Sequence, residues 1–256
     1  RLLARCRTDR IICVSESDAA SVKSCLRLTS SSDILSWVPN GIEYERFASA
    51  ERDDDYRRRL GVEDGEIALG TVGRLRPQKA LGTLVLLGRL LKEARWKFKI
   101  LIVGEGFLEQ ELRLRIRDCG LEEEVRLLGY REDIPRFLQA LDVFLLVSLW
   151  EGFPIAVLEA MAAGLPIVAT RVPGTQELLE PVYGNRLAAV RDPDALMRLL
   201  GDWRTNREQW QTLAEEGRMF VRANYTVEKM VASTEQIYQH LLEGTANPMP
   251  SRGHRG

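Results

Sequence analysis

From residue 67 to residue 200 the chain alternates two kinds of segment, and this limits what it can fold into more than any other feature. Short runs rich in β-branched and aliphatic residues, at 67–72, 98–103, 125–128, 143–147, 167–169 and 187–190, read as strands. Between them, segments at 81–93, 108–119, 134–141, 155–163, 174–179 and 195–200 read as helices, with Gly120 and Gly164 as stop signals. Strands separated by helices predict βαβ units and a doubly wound α/β fold, its parallel sheet covered on both faces. Such a sheet binds ligands beyond the carboxyl ends of its strands. The informative loops are therefore 73–79, 104–106, 129–133, 148–154 and 170–177.

Ahead of this repeat, 11–14 reads as a strand. Ser15 opens a helix with Asp18 at capping-box spacing, and Val22, Cys25 and Leu26 give that helix an apolar face. A strand at 35–38 ends in the turn Pro39-Asn40-Gly41. Residues 51–65 read as a polar connector. Helices are expected at about 204–222 and 227–242, then a disordered tail after Gly244.

The stretch 144–169 is apolar apart from Ser148, Glu151 and Glu159, and Pro154, Gly164 and Pro166 interrupt it. A spanning helix needs about 20 residues without such breaks, so a buried strand–helix–strand unit is the better reading. Lys plus Arg number 36 and Asp plus Glu 37, a balance that argues against a basic surface for nucleic acid. The run Arg57-Arg58-Arg59 follows Asp53-Asp54-Asp55 closely and reads as a solvated helix face. Cys6, Cys13, Cys25 and Cys119 share no metal-ligand or redox spacing and are expected as reduced thiols of a cytosolic protein. Residues 1–10 are basic, but the apolar run 11–14 is too short for a signal peptide. Because the chain opens on Arg1, it is expected to be cut from a longer protein.

Glu159 is the only charged residue between Gly152 and Thr170. A carboxylate on an otherwise apolar helix is costly unless something pairs with it. Glu151 lies on the loop just before that helix, so the two acids can face one pocket. Pro154 suits the first helical position, which leaves the N–H groups of Ile155 and Ala156 as a phosphate site. The structural alternative is that Glu151 caps the helix and Glu159 pairs with a core Arg. The loop Gly73-Arg74-Leu75-Arg76-Pro77-Gln78-Lys79 adds two cations, a guanidinium that forks onto phosphate oxygens and a mobile point charge. Standing alone it would read as an ordinary solvated basic loop. Gly104-Glu105-Gly106 lacks the third glycine of a dinucleotide fingerprint, since position 109 is Glu109. Asp53-Asp54-Asp55 and Asp192-Pro193-Asp194 match a loose metal-binding DxD. The first lies in the polar connector and the second reads as a cap before Ala195. No metal and no cofactor are expected.

Glu151 and Glu159, embedded in EGFPIAVLEAMAAGLPIVAT, resemble the EX7E motif of retaining GT-B glycosyltransferases, above all glycosyltransferase family 4. Other features similar to that family follow in order: VSES at 14–17, VPNGIE at 38–43, VGRLRPQK at 72–79, ILIVGEG at 100–106, LLGYREDIP at 127–135 and PGTQEL at 173–178. The resemblance covers roughly residues 10–242. It implies a Rossmann-like, nucleotide-sugar-binding C-terminal domain of a GT-B fold at 42–222. It further implies the end of an N-terminal acceptor domain at 1–41, a helix crossing back to that domain at 223–243, and a tail at 244–256.

By the same resemblance Arg74 and Lys79 hold the donor diphosphate, with Gly73 allowing close approach. Glu159 bonds the ribose hydroxyls. Glu151 contacts the donor sugar, with the backbone amides of Phe153, Pro154's neighbour Ile155, and Ala156 nearby. Tyr130 and Arg131 meet the base through backbone groups. Two positions depart from the family pattern, Ala80 and Pro154, where relatives often have Gly. The implied activity is transfer of a sugar, with retention, from a UDP-sugar or GDP-sugar to a carbohydrate or lipid-linked acceptor. The setting is cytoplasmic, with peripheral association at the inner membrane face open. The only histidines are His240 and His254, near the C-terminus. Two alternatives stay open: a nucleotide-sugar 2-epimerase of the same fold, and a nucleotide-binding fragment without activity of its own.

Overall fold

The computed structural model of the protein describes residues 8–28 and 34–245. Cys6, His254 and most of the expected tail lie outside these residues. Six strands form one parallel sheet: β3 (Ile67–Val72), β4 (Phe98–Val103), β5 (Val125–Leu127), β6 (Val143–Leu146), β7 (Ile167–Thr170) and β8 (Leu187–Ala188). Their spatial order is β5-β4-β3-β6-β7-β8. Chain order therefore runs outward from β3 to one edge, then restarts at β6 and runs to the other. The reversal between β3 and β6 is the topological switch point of a Rossmann-like sheet, where a crevice opens at the strand ends.

The strands are continuous apolar runs because both faces are covered. Every residue of β4 is buried, including Lys99, whose ammonium is met by Glu66 at 3.3 Å and by the Glu123 carbonyl at 3.2 Å. Among the helices, α4 (Gly82–Glu93) packs on α9 (Pro193–Thr205) and α5 (Glu109–Asp118). A second group joins α2 (Tyr44–Ala48), α7 (Ile155–Ala162), α8 (Pro173–Tyr183) and α10 (Arg207–Asn224). Trp203 of α9 and Trp210 of α10 are fully buried. The stretch 144–169 is β6, α7 and β7, as its breaks predict. Among the described residues no helix is long and apolar enough to cross a membrane.

A separate two-stranded parallel sheet pairs β1 (Ile11–Cys13) with β2 (Leu35–Trp37), joined through α1 (Glu16–Leu26). Ser15 caps α1 by accepting from the Asp18 N–H at 3.1 Å. The apolar face expected on α1 is not covered: no residue of this helix is buried, and Cys25 is exposed. Glu177 of α8 reaches this segment, accepting from the N–H groups of Glu16 at 3.0 Å and Ser17 at 3.3 Å. The last helix, α11 (Val227–Thr245), begins beside Ile42, which bridges to Thr226.

The connector at 51–65 is corrected. It contains α3 (Asp54–Arg59), with Asp53 capping it by accepting from the Tyr56 N–H at 2.9 Å. The basic run is not a uniformly solvated face either. Arg57 is buried, donating to the carbonyls of Ala140 at 2.6 Å and Glu66 at 2.7 Å and to Asp142 at 2.8 Å. Asp142 also accepts from the Ala68 N–H at 2.7 Å, so one buried ion pair ties α3 to the start of β3. Periodicity missed this helix because polar caps and three arginines hide its short apolar content. The second DxD segment is a helix start, with Asp192 accepting from the Ala195 N–H at 2.8 Å.

Candidate functional site at the strand-order reversal

The loops after β3, β4 and β5 line one open cleft of about 1040 Å³, with α2 and α7 contributing one residue each. Gly73, Arg74, Tyr130, Arg131 and Glu159 all face it, so separate stretches of sequence converge there. Their approach is close. Gly104 has φ +134°, and a Cβ on it would lie 1.9 Å from the Gly73 carbonyl oxygen. Only glycine permits both that conformation and that contact.

Lys79 ends a 3₁₀ turn, Pro77–Lys79, and leans over Gly73: a Cβ on Gly73 would lie 3.2 Å from Lys79 Cε. Its ammonium donates to Glu151 Oε1 at 2.6 Å, and the two side chains keep 19% and 8% exposure. Ser148 Oγ donates to the same oxygen at 2.5 Å. Two further bonds join the loops after β3 and β6, from Gln78 Nε2 to the Trp150 carbonyl and from the Leu149 N–H to the Gln78 carbonyl, both 2.8 Å. Ala80, at the position where glycine was expected, is left-handed with φ 46° and ψ 35°. For a residue with a Cβ this costs about 1 kcal/mol.

Pro154 is the N-cap of α7, one place earlier than expected, and Ile155 is the first helical residue. Phe153 is buried with its ring 5.3 Å from that of Tyr225, Pro154 is buried, and Ile155 is exposed. None of the four residues 153–156 lines the cleft, which α7 meets only at Glu159, one turn further along the helix.

The Glu159 carboxylate makes no hydrogen bond or ion pair among the described residues. Burial pushes its carboxyl up to about 7, opposed only by the charge of Arg46. The alternative in which Glu159 pairs with a core Arg is thus not what the fold does. Arg46, on α2, lines the same cleft and pairs instead with Glu43 at 3.3 Å. Sequence reasoning missed Arg46, because only the packing of α2 on α7 brings it there. Arg74 forms no ion pair within 4 Å among the described residues, so its charge faces solvent in the cleft. Arg131 is held: its guanidinium forks onto Asp133 at 2.8 and 2.7 Å. That fork, with a bond from the Tyr56 hydroxyl at 2.8 Å, draws the Asp133 carboxyl down to about 2. Burial and the same bond push Tyr56 up to about 12. The Arg131 side chain is therefore structural, and its backbone is what remains for a ligand. Among the described residues no group of His, Cys, Asp and Glu is arranged to hold a metal ion.

Arg74 and Glu159 thus line the cleft, whereas Lys79 and Glu151, expected in the same site, pair with each other outside its lining. The family described as Glycosyl transferases group 1 matches residues 52–220. The chain belongs to this family. Among relatives of this glycosyltransferase domain is the Escherichia coli UDP-Gal:alpha-D-GlcNAc-diphosphoundecaprenol alpha-1,3-galactosyltransferase. It is 33% identical over 206 residues, 77% of this chain and 51% of the relative. The amylovoran biosynthesis glycosyltransferase AmsK of Erwinia amylovora is 37% identical over 168 residues, 62% of this chain and 39% of that protein. The chain thus spans about half the length of these relatives or less.

Among solved structures, Anabaena Alr3699/HepE in complex with UDP and glucose superposes with a TM-score of 0.81 at 22% identity. The match covers 94% of this chain and 65% of that one. WaaG, a glycosyltransferase involved in lipopolysaccharide biosynthesis, gives 0.75 at 18% identity, covering 89% and 62%. The fold is that of GT-B glycosyltransferases.

Proposed function

We propose that this domain binds the donor of a retaining glycosyltransferase of family 4, at the cleft lined by the loops after β3, β4 and β5. The whole protein transfers a sugar from a UDP-sugar or GDP-sugar to a carbohydrate or lipid-linked acceptor, at the cytoplasmic face of the membrane. One observation carries this reading: an arginine with no ion-pair partner among the described residues, Arg74, shares a cleft with a carboxylate that burial has left without one, Glu159. A partly desolvated acid without a donor is costly in a fold unless a ligand completes it, and the solvent-facing Arg74 beside it is free to meet an anion.

In this reading Arg74 and Lys79 meet the diphosphate and offset its charge as it leaves, so no cofactor is invoked. Glu159 accepts from the ribose hydroxyls. Glu151 keeps Oε2 available for a sugar hydroxyl while Oε1 holds Lys79 and Ser148. The backbone around Tyr130 and Arg131 flanks the base. The sequence of the Escherichia coli relative, named for a UDP-galactose donor and a diphosphoundecaprenol-linked acceptor, supports the substrate class. Residues 1–256 by themselves are expected to bind nucleotide without transferring sugar, because they match only about half the length of that relative.

Calorimetry on this chain tests the assignment with UDP against uridine and GDP against guanosine. Arg74→Ala is expected to weaken the diphosphate by about 10- to 100-fold, the size of one charge-assisted bond, and to leave the nucleoside unchanged. Glu159→Ala is expected to weaken both. Equal losses for diphosphate and nucleoside with Arg74→Ala would mean that Arg74 supports the fold and holds no phosphate.

A further inference from the structure

Among the described residues eight polar or charged side chains are buried, and three of them, Ser148, Thr170 and Thr175, lie in one line behind the Lys79–Glu151 pair. Thr175 Oγ1 donates to the Thr170 carbonyl at 2.6 Å. Thr170 Oγ1 donates to the Ser148 carbonyl at 2.7 Å. Ser148 Oγ donates to Glu151 Oε1 at 2.5 Å, and Lys79 Nζ donates to that same oxygen at 2.6 Å. The line runs from the start of α8, past the end of β7, through the loop after β6, to the loop after β3. Ser148 and Thr170 are 0% exposed, so water does not compete for these bonds.

Lysine is a flexible cation with about 2 kcal/mol of side-chain rotamer entropy to lose. A point charge on such a stem binds phosphate well only if something holds it in place beforehand. Glu151 does so with one oxygen, and Glu151 in turn is held at that oxygen by Ser148. The ammonium has three N–H donors, and one is used on Glu151. Two remain for phosphate oxygens without breaking the pair. Gly73 leaves the room for the lysine stem that a Cβ would take.

We propose that Ser148 and Thr170 are positioning residues for diphosphate binding: they act through Glu151 to hold Lys79 against Gly73, which lines the cleft. Neither touches the ligand. The inference rests on the reading that Lys79 holds the diphosphate, and the test separates the two.

UDP and uridine, with GDP and guanosine alongside, are titrated into the unaltered chain and into Ser148→Ala, Thr170→Val, Lys79→Ala and the double variant Ser148→Ala with Lys79→Ala. Thermal melts accompany each, so a folding defect is read separately. Ser148→Ala is expected to weaken the diphosphate about tenfold, the upper range for one hydrogen bond, with nucleoside affinity unchanged. Thr170→Val, which keeps the shape and removes the donor, is expected to act in the same direction and less. In the Lys79→Ala background Ser148→Ala is expected to add nothing, since the group it positions is gone. A Ser148→Ala loss that persists in that background, or that falls equally on nucleoside and diphosphate, would overturn the positioning role and leave Ser148 as scaffold. So would a Ser148→Ala variant that binds normally while Lys79→Ala does not. If Lys79→Ala itself binds the diphosphate normally, the assignment of Lys79 to phosphate fails instead.

Discussion

Glu151 and Glu159 are the same residue type on one short segment, and the fold treats them in opposite ways. Glu151 keeps 8% side-chain exposure, and Lys79 and Ser148 both donate to it. Glu159 lies on the cleft wall with no donor among the described residues, and burial holds its carboxyl near 7. The two acids differ in the donors that reach them: Glu151 has two and Glu159 has none among the described residues. The paired acid ties the loops after β3 and β6 together. The unpaired acid keeps an unmet demand for a hydrogen-bond donor, which the ribose hydroxyls of the proposed donor would satisfy.

The largest effect should come from removing the unpaired charge. The folded-state value of about 7 lies above the free value of 4.5. Between those values the folded state binds the extra proton, so stability falls as pH rises from about 4.5 to about 7 and is level above. Glu159→Gln should therefore be more stable than the unaltered chain by about 3 kcal/mol at pH 8, since each pH unit separating the folded and free values is worth about 1.36 kcal/mol. The difference should vanish below pH 4.5. Urea unfolding at pH 4.5 and pH 8 measures it. The same gap at both values would mean that Glu159 does not titrate in that window.

Removing the cation from the paired acid should leave its carboxylate short of a donor. Lys79→Ala leaves Glu151 with Ser148 alone and should cost about 2 kcal/mol at pH 7. Breaking a fully buried pair costs about 3–5 kcal/mol, and Lys79 is not fully buried. A stability within about 0.5 kcal/mol of the unaltered chain, the size expected for neutral surface changes, would show that Glu151 needs no cation.

The contrast also predicts a pH profile for binding. If the ionised form of Glu159 accepts from ribose, uridine affinity should rise about tenfold from pH 6 to pH 8, as the ionised fraction grows through a midpoint near 7. Uridine carries no phosphate to titrate over this range. Glu159→Gln should remove the slope, and a slope that survives it would assign the titration to another group. The smallest effect belongs to Arg46, whose charge is the one factor that lowers Glu159. Arg46→Ala should move the midpoint of that profile upward, by less than a pH unit because Arg46 is half exposed. A midpoint that stays in place or falls would separate Arg46 from Glu159.

The alternation of apolar runs and amphipathic segments was enough, by itself, to determine a parallel α/β sheet with its informative loops after the strands. It located β3, β4 and α7 closely, because burial on both faces leaves an apolar signature that needs no tertiary information. The isolated Glu159 and the basic loop 73–79 were also legible, since a charge in an apolar run and a strand-ending glycine stand out locally. The strand order was not legible, because pairing is a long-range choice. That order put the end of β3 beside the end of β6, 72 residues apart in the case of Lys79 and Glu151. Nor were Arg46, Ser148 and the buried Arg57, whose roles come from partners far away in sequence. Only the tertiary structure decided which of two similar glutamates meets donors and which meets none among the described residues. That depends on whether a donor arrives from another strand end, and no local pattern records it.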